Sequence, residues 1–189
     1  MSIYPPGVQE KLDSLRNDRV LENPGAAGKD ASFLCGSYVT FSIQVDKDVV
    51  TDAAFATSGC GYMIATADRL ASYVKGRRLA HLHGLDISLR ETETELGSLE
   101  ESRRQCVDCC LRAVKNAFAA HRALRVQEFG GEKALICTCF GVTEDVIELQ
   151  IRKISAPTVE EVTQVCNAGG GCGSCRMLIQ ELIDSVAPG

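Results

Sequence analysis

Two closely spaced cysteine pairs lie in the last third of the chain. Cys137 and Cys139 form C-x-C, and Cys172 and Cys175 form C-x-x-C within "NAGGGCGSCRMLIQELI". Such spacings let both thiolates of a pair face one metal centre. A C-x-x-C alone could also be a redox disulfide, a zinc half-site or an iron–sulfur half-site. Two pairs together supply the four sulfur ligands of a zinc ion or a [2Fe–2S] cluster. Gly169, Gly170, Gly171 and Gly173 can take positive φ and bring backbone N–H groups toward cluster sulfurs. A helix beginning near Ser174 would aim its N-terminal dipole at the anionic site. A structural zinc ribbon is the alternative. Ribbons use two C-x-x-C knuckles on hairpins, whereas one half-site here is C-x-C and the 32 residues between Cys139 and Cys172 read as helical. That favours iron–sulfur. Cys166 shares an apolar helical stripe with Val159 and Val162 and is expected in the core.

A second group lies earlier. Cys35 sits in "FLCGSYV", Cys60 in "SGCGYMIA" and Cys106 in "RRQCVDCC". Each is near glycine or at the end of an element, so the three could converge on an exposed, incompletely ligated site. Such a site suits a cluster that is built and given away. Three unrelated thiols are the alternative. Cys109 and Cys110 follow Cys106 by three and four residues, spacings that share a helical face. Either could be a fourth thiolate, or both could be small core residues.

Ten cysteines in 189 residues, with no signal-like basic and apolar segments in "MSIYPPGVQE", point to metal or redox chemistry in the cytoplasm rather than to a secreted disulfide scaffold. The net charge of −5 comes from scattered acidic residues, and there is no tryptophan, which argues against a nucleic-acid partner. No apolar run approaches the roughly 18 residues of a membrane span.

The elements that must position these residues follow from periodicity. Residues 8–17 have helical spacing at Val8, Leu12 and Leu15, and 21–31, "LENPGAAGKDA", read as a Pro/Gly loop. "YVTFSIQVD" alternates as a half-buried strand, "DKD" turns it, and "VVTDAAFAT" is its antiparallel partner. Helices are expected from about Met63 to Lys75, with Gly76 as C-cap, over "RRLAHLHGL", and from Cys106 to about Leu124. The stretch 86–102 is polar and poorly periodic. Residues 129–133 read as a linker. Beyond it, "LICTCFG" is extended, Thr143 can cap a helix, Thr158 and Glu161 form a capping box, and a last helix ends near Val186. The chain therefore reads as an α+β domain over 1–128 and a small, mostly helical domain over 134–189. The second is small enough for a metal centre to supply missing stability.

The chain resembles the NifU family of iron–sulfur cluster assembly scaffolds. "NPGAAG", "CGSYVTFSIQVD", "AAFATSGCGYMIATAD" and "CVDCCLRAVKNAF" are similar, in order and spacing, to the IscU-like scaffold domain. "LICTCFGVTEDVIELQIRKISAPTVEEVTQVCNAGGGCGSC" resembles the BFD-like ferredoxin domain. The resemblance implies an IscU-like antiparallel sheet with packed helices, then a small helical BFD-like [2Fe–2S] domain. It implies that Cys35, Cys60 and Cys106 hold a labile cluster, [2Fe–2S] or [4Fe–4S], with iron or zinc as the bound metal. Cys137, Cys139, Cys172 and Cys175 would hold a permanent [2Fe–2S] cluster; apart from the resemblance, four closed ligands beside an open site suit that cluster to passing electrons, a source for reducing persulfide sulfur. It also implies persulfide sulfur from a cysteine desulfurase, delivery to apo iron–sulfur proteins, a homodimer, and a scaffold rather than an enzyme.

There are departures. Ser37 stands where the family has aspartate, which favours iron exchange and release, and Gln105 where it usually has histidine. "LEESRRQ" replaces a chaperone-binding Pro-Pro segment, and the third, Nfu domain of the longest members is expected to be lacking. The competing functions are a [2Fe–2S] electron carrier or iron-release partner whose N-terminal domain only docks, and a zinc-bound sulfur acceptor or regulator.

Overall fold

The computed structural model describes residues 3–82, 96, 101–128 and 134–186. The predicted linker 129–133 and most of the polar stretch 86–102 lie outside the described residues. The chain divides into two compact units, Met1–His121 and Arg122–Gly189. Among the described residues no helix is long and apolar enough to cross a membrane.

The first unit holds α1 (Pro6–Asp13), β1 (Ala26–Ala31), β2 (Tyr38–Asp46), β3 (Val49–Thr57), α2 (Gly61–Val74), α3 (Leu79–Leu82) and most of α4 (Glu101–Glu128). The strands form one antiparallel sheet in the order β1-β2-β3. The alternation in β2 does what its period requires: Val39, Phe41 and Ile43 are fully buried, while Tyr38 and Gln44 are exposed. Lys47 and Asp48 both take positive φ, as a two-residue hairpin between right-twisted strands demands. A bulge between Gln44 and Val45 leaves Val45 half-buried, off the buried stripe expected for it.

The structure corrects one element. Residues 26–31, read as loop, form strand β1, paired with β2 from Ala26↔Ile43 to Ala31↔Tyr38. Alanine, glycine, lysine and aspartate carry little strand preference, so pairing with a distant segment decides this strand. Gly28 permits a second contact. A Cβ there would lie 2.1 Å from the Ala117 N and 2.3 Å from the Ala113 O of α4.

Helix ends shift for local reasons. α1 stops at Asp13, where the Ser14 hydroxyl donates to the Glu10 carbonyl (2.8 Å), and the N–H groups of Arg16 and Asn17 both donate to Asp68 Oδ1 at 2.9 and 2.8 Å. α2 begins at Gly61, two residues before the expected start, because Tyr4 Oη accepts the Gly61 N–H at 3.0 Å. α4 extends beyond Cys106–Leu124 at both ends.

The second unit comprises the two-stranded sheet β4 (Leu135–Cys137) and β5 (Val142–Thr143), then α5 (Glu144–Ile151), α6 (Val159–Cys166) and α7 (Arg176–Val186). Ile147, Ile151, Val162, Ile179 and Ile183 form its buried core. The capping box at α6 is complete: Thr158 accepts from the Glu161 N–H, and Glu161 accepts from the Thr158 N–H. Thr143 occupies the N-cap position of α5 without a side-chain cap, since its hydroxyl donates to Asp145 instead.

Candidate metal centres

In the first unit three elements bring thiols together. Cys35 is exposed in the turn between β1 and β2; Cys60 is half-buried as the N-cap of α2; Cys106 is buried in the second turn of α4. Cys106 is therefore inside its helix rather than at the start. Burial, together with the charges of Cys60 and Cys35 and a hydrogen bond donated to Cys60, pushes its thiol up to about 12. Cys106 thus lies within electrostatic reach of both Cys60 and Cys35, and a cation there would relieve the repulsion.

Cys35 moves the other way. Hydrogen bonds from the Ser32 hydroxyl, the Ser37 hydroxyl and the Ser37 N–H lower it to about 7. Gln105 Oε1, 3.1 Å away, is a second acceptor for the single Ser32 proton, which places the turn beside the residue before Cys106. Ser37 and Gln105, noted in the sequence as departures, both belong to this network. Ser32 was not legible as a site residue, because only the fold opposes it to Gln105.

Cys109 and Cys110 are fully buried. Cys110 donates to the Met63 carbonyl at 3.5 Å, inside the contact with α2. Burial and Asp30, which accepts its hydrogen bond, push Cys109 up to about 12; burial also raises Cys110 well above the ordinary thiol value. The helical face shared with Cys106 is thus a packing face at these two positions.

In the second unit Cys137 ends β4, Cys139 follows in the turn, Cys172 lies in the glycine loop and Cys175 directly precedes α7. They line one cavity of about 170 Å³ with Ile136, Thr138, Ser174 and Leu178. The half-sites face one another in crossed pairs. Cys139 Sγ donates to Cys172 Sγ at 3.4 Å, and Cys175 donates to Cys137. Hydrogen bonds from the Ser174 hydroxyl and N–H, and from Cys139, lower Cys172 to about 7. Burial and the Cys137 charge push Cys175 up to about 11. Gly169 and Gly173 take φ of +82° and +79°, as expected, whereas Gly170 and Gly171 do not take the positive φ expected of them.

Among the described residues no three Cys, His, Asp or Glu side chains are already drawn around one ion position. The thiols are held by hydrogen bonds in pairs. A four-sulfur donor set lining a single cavity nevertheless fits a [2Fe–2S] cluster in kind and number. Cys166 does not line the cavity. It is half-buried rather than core, with its thiol on the Val162 carbonyl at 3.1 Å.

Residues 3–128 match the NifU-like N-terminal domain, and residues 135–185 match the BFD-like [2Fe-2S] binding domain. The nitrogen fixation protein NifU of Trichormus azollae is 32% identical over 193 residues, covering 97% of this chain and 64% of that protein. The chain thus spans just under two thirds of that relative. The iron-sulfur cluster assembly scaffold protein IscU of Aquifex aeolicus is 32% identical over 113 residues, covering 59% of this chain and 71% of that one. A crystal structure of the N-terminal part of a NifU-like protein from Brucella abortus is 26% identical with a TM-score of 0.42, covering 64% of this chain and 83% of that one. With that N-terminal domain match spanning most of its length, the chain belongs to the NifU family.

Proposed function

We propose that this protein is a scaffold on which iron–sulfur clusters are assembled and from which they pass to apo iron–sulfur proteins. The observation that carries this reading is the contrast between its two thiol groups. Cys35, Cys60 and Cys106 form an open set that grades from exposed to buried. Cys137, Cys139, Cys172 and Cys175 face one another in crossed pairs around one cavity. An open set suits cargo, and a closed set suits a resident cofactor. Soft thiolate donors select iron–sulfur chemistry over oxygen-loving ions.

In this reading the first three cysteines, as thiolates, hold iron and sulfide during assembly. The other four hold a [2Fe–2S] cluster, which when bound supplies one-electron transfer. The chain's residues do the rest. The Ser174 hydroxyl and N–H stabilise thiolate charge at Cys172, the Gly169 N–H does so at Cys175, and Leu178 and Ile136 line the cavity. All ten cysteines are free, which suits a reducing compartment such as the cytoplasm. A cysteine desulfurase is the sulfur source, and the working form is a homodimer.

Anaerobic purification with iron, zinc and acid-labile sulfide assays, followed by transfer to an apo-ferredoxin, tests the proposal. Cluster transfer that disappears in Cys35→Ala supports it. Undiminished function in that variant would favour an electron carrier whose first unit only docks, and a colourless zinc protein without sulfide would oppose cluster chemistry altogether.

A further inference from the structure

The C-x-C half-site of the second unit is touched by a cation from outside its own loop. The end of α4, from Arg122 on, belongs to this unit. Arg125, in the last turn of α4, donates from Nη2 to the Phe140 carbonyl at 3.4 Å. Phe140 directly follows Cys139, and Gly141 comes next. A Cβ at Gly141 would lie 3.5 Å from Arg125 Nε and 3.6 Å from Arg125 Cβ, so the arginine lies along this turn from stem to head. Phe140 is buried, while Arg125 is exposed and, among the described residues, has no carboxylate partner to cancel its charge. Cys139 in turn faces Cys172, 3.4 Å away. Of the two crossed pairs this is the more open one: Cys139 is half-buried and Cys172 exposed, whereas Cys137 and Cys175 are buried. The arginine therefore stands beside the half of the site that the protein shields least.

We propose that Arg125 is a positioning residue of this site: it holds the Cys139 turn in place, and its charge makes the reduced state of a bound [2Fe–2S] cluster easier to reach. This rests on reading the four thiols as holders of such a cluster. Four thiolates and two sulfides outweigh two ferric ions, so the oxidised group is already anionic. Reduction takes one electron from an external donor, breaks no bond and needs no proton, so its net effect is one more negative charge. A guanidinium stays protonated throughout and favours the more anionic state by Coulomb attraction. Its hydrogen bond to the Phe140 carbonyl resists movement of the turn that carries Cys139. A cation in the last turn of a helix also suits the helix dipole. That role alone would change the helicity of α4 and leave the potential where it was.

The test uses the full chain, purified anaerobically and treated with a mild chelator to clear the first unit. Potentiometric titration followed by electron paramagnetic resonance reads the reduced cluster. Arg125→Ala and Arg125→Gln should shift the reduction equilibrium about tenfold toward the oxidised state, which is ~59 mV for a one-electron couple. Arg125→Lys keeps the charge and should stay close to the wild type. Arg152→Gln removes a charge just past α5, where Arg152 pairs with Glu148, and should leave the potential unmoved. In the metal-free full chain, timed alkylation with peptide mass spectrometry should find Cys139 modified about fivefold faster in Arg125→Ala, as the loss of one hydrogen bond allows. An unchanged potential in the alanine and glutamine variants, or an equal shift in Arg125→Lys or Arg152→Gln, overturns the charge role. Unchanged alkylation of Cys139 overturns the positioning role. If the wild type carries its cluster and the Arg125 variants match it in both measurements, this inference falls alone. If the wild type binds no cluster on Cys137, Cys139, Cys172 and Cys175, the reading beneath it falls as well.

Discussion

Replacing Gly28 by alanine tests whether the close approach of β1 to α4 holds the scaffold site together. The added Cβ would lie 2.1 Å from the Ala117 N, 2.3 Å from the Ala113 O and 2.6 Å from the Asn116 C. All are backbone atoms within a helix, so no side chain can swing aside. Carbon contacts normally settle at about 3.5 Å, so strand and helix must part by roughly 1 Å. That movement stretches the hydrogen bond from Asn116 Nδ2 to the Lys29 carbonyl and the Arg112–Asp30 ion pair, both 2.9 Å. Overpacking of this kind costs about 1–3 kcal/mol or more, a large share of the roughly 5–15 kcal/mol that holds a domain folded. The functional effect follows from connectivity. β1 runs into the Cys35 turn and α4 carries Cys106, so separating them opens the site. Urea unfolding should show the loss of stability, and iron and sulfide analysis should show poorer cluster retention on the first unit. Gly25→Ala is the control, because its Cβ would meet nothing closer than 3.5 Å. If Gly28→Ala unfolds within about 0.5 kcal/mol of the wild type, the close-approach argument fails.

Mild chelation should strip iron from the Cys35 set before the Cys137 set; equal rates of loss would contradict the contrast between open and closed sites. Cys172→Ser should melt much of the second unit, since a structural metal centre contributes on the order of 10 kcal/mol to a small fold; a sharp melt with native helicity would refute this. Burial opposes ionisation of Asp52, but hydrogen bonds from Arg19 and Lys75 lower it from 3.8 to about 2. Because the folded value is the lower one, this pairing stabilises the fold above pH 3.8 and fades as the pH falls toward 2, so Asp52→Asn should flatten the acid limb of the stability curve over that range. Cys109→Ala and Cys110→Ala should leave cluster retention unchanged while lowering stability, and a lost cluster in either would restore that residue as a ligand.

What was legible in the sequence was what local chemistry decides. The β2–β3 hairpin shows in the alternation of Val39, Phe41 and Ile43 and in its short turn. The α6 capping box shows in Thr158 and Glu161, and the facing half-sites show in cysteine spacing. What was hidden depends on distant partners. β1 has no strand-like composition, and only its pairing with β2 and the fit of Gly28 against α4 make it a strand. The depth of Cys106 was hidden as well, because the polar residues 101–105 gave no sign that α4 had already begun before it. A shared face with Cys106 was a sound inference for Cys109 and Cys110. Which neighbour that face meets is a tertiary fact, and at Cys110 the neighbour is the Met63 carbonyl.

The two departures at the first site are understood in the same terms. A carboxylate at position 37 would bring a second negative charge beside the Cys35 thiolate. Serine instead brings a hydroxyl that donates to it, alongside the backbone N–H of the same residue. Gln105 offers an amide oxygen that shares the single Ser32 proton with the Cys35 thiolate. Neutral groups at both positions thus join one network that steadies the exposed thiol and links its turn to the helix of the buried one. A site so arranged favours the thiolate of its outermost sulfur without a carboxylate or an imidazole, which leaves the remaining coordination of any cargo to solvent or to a partner.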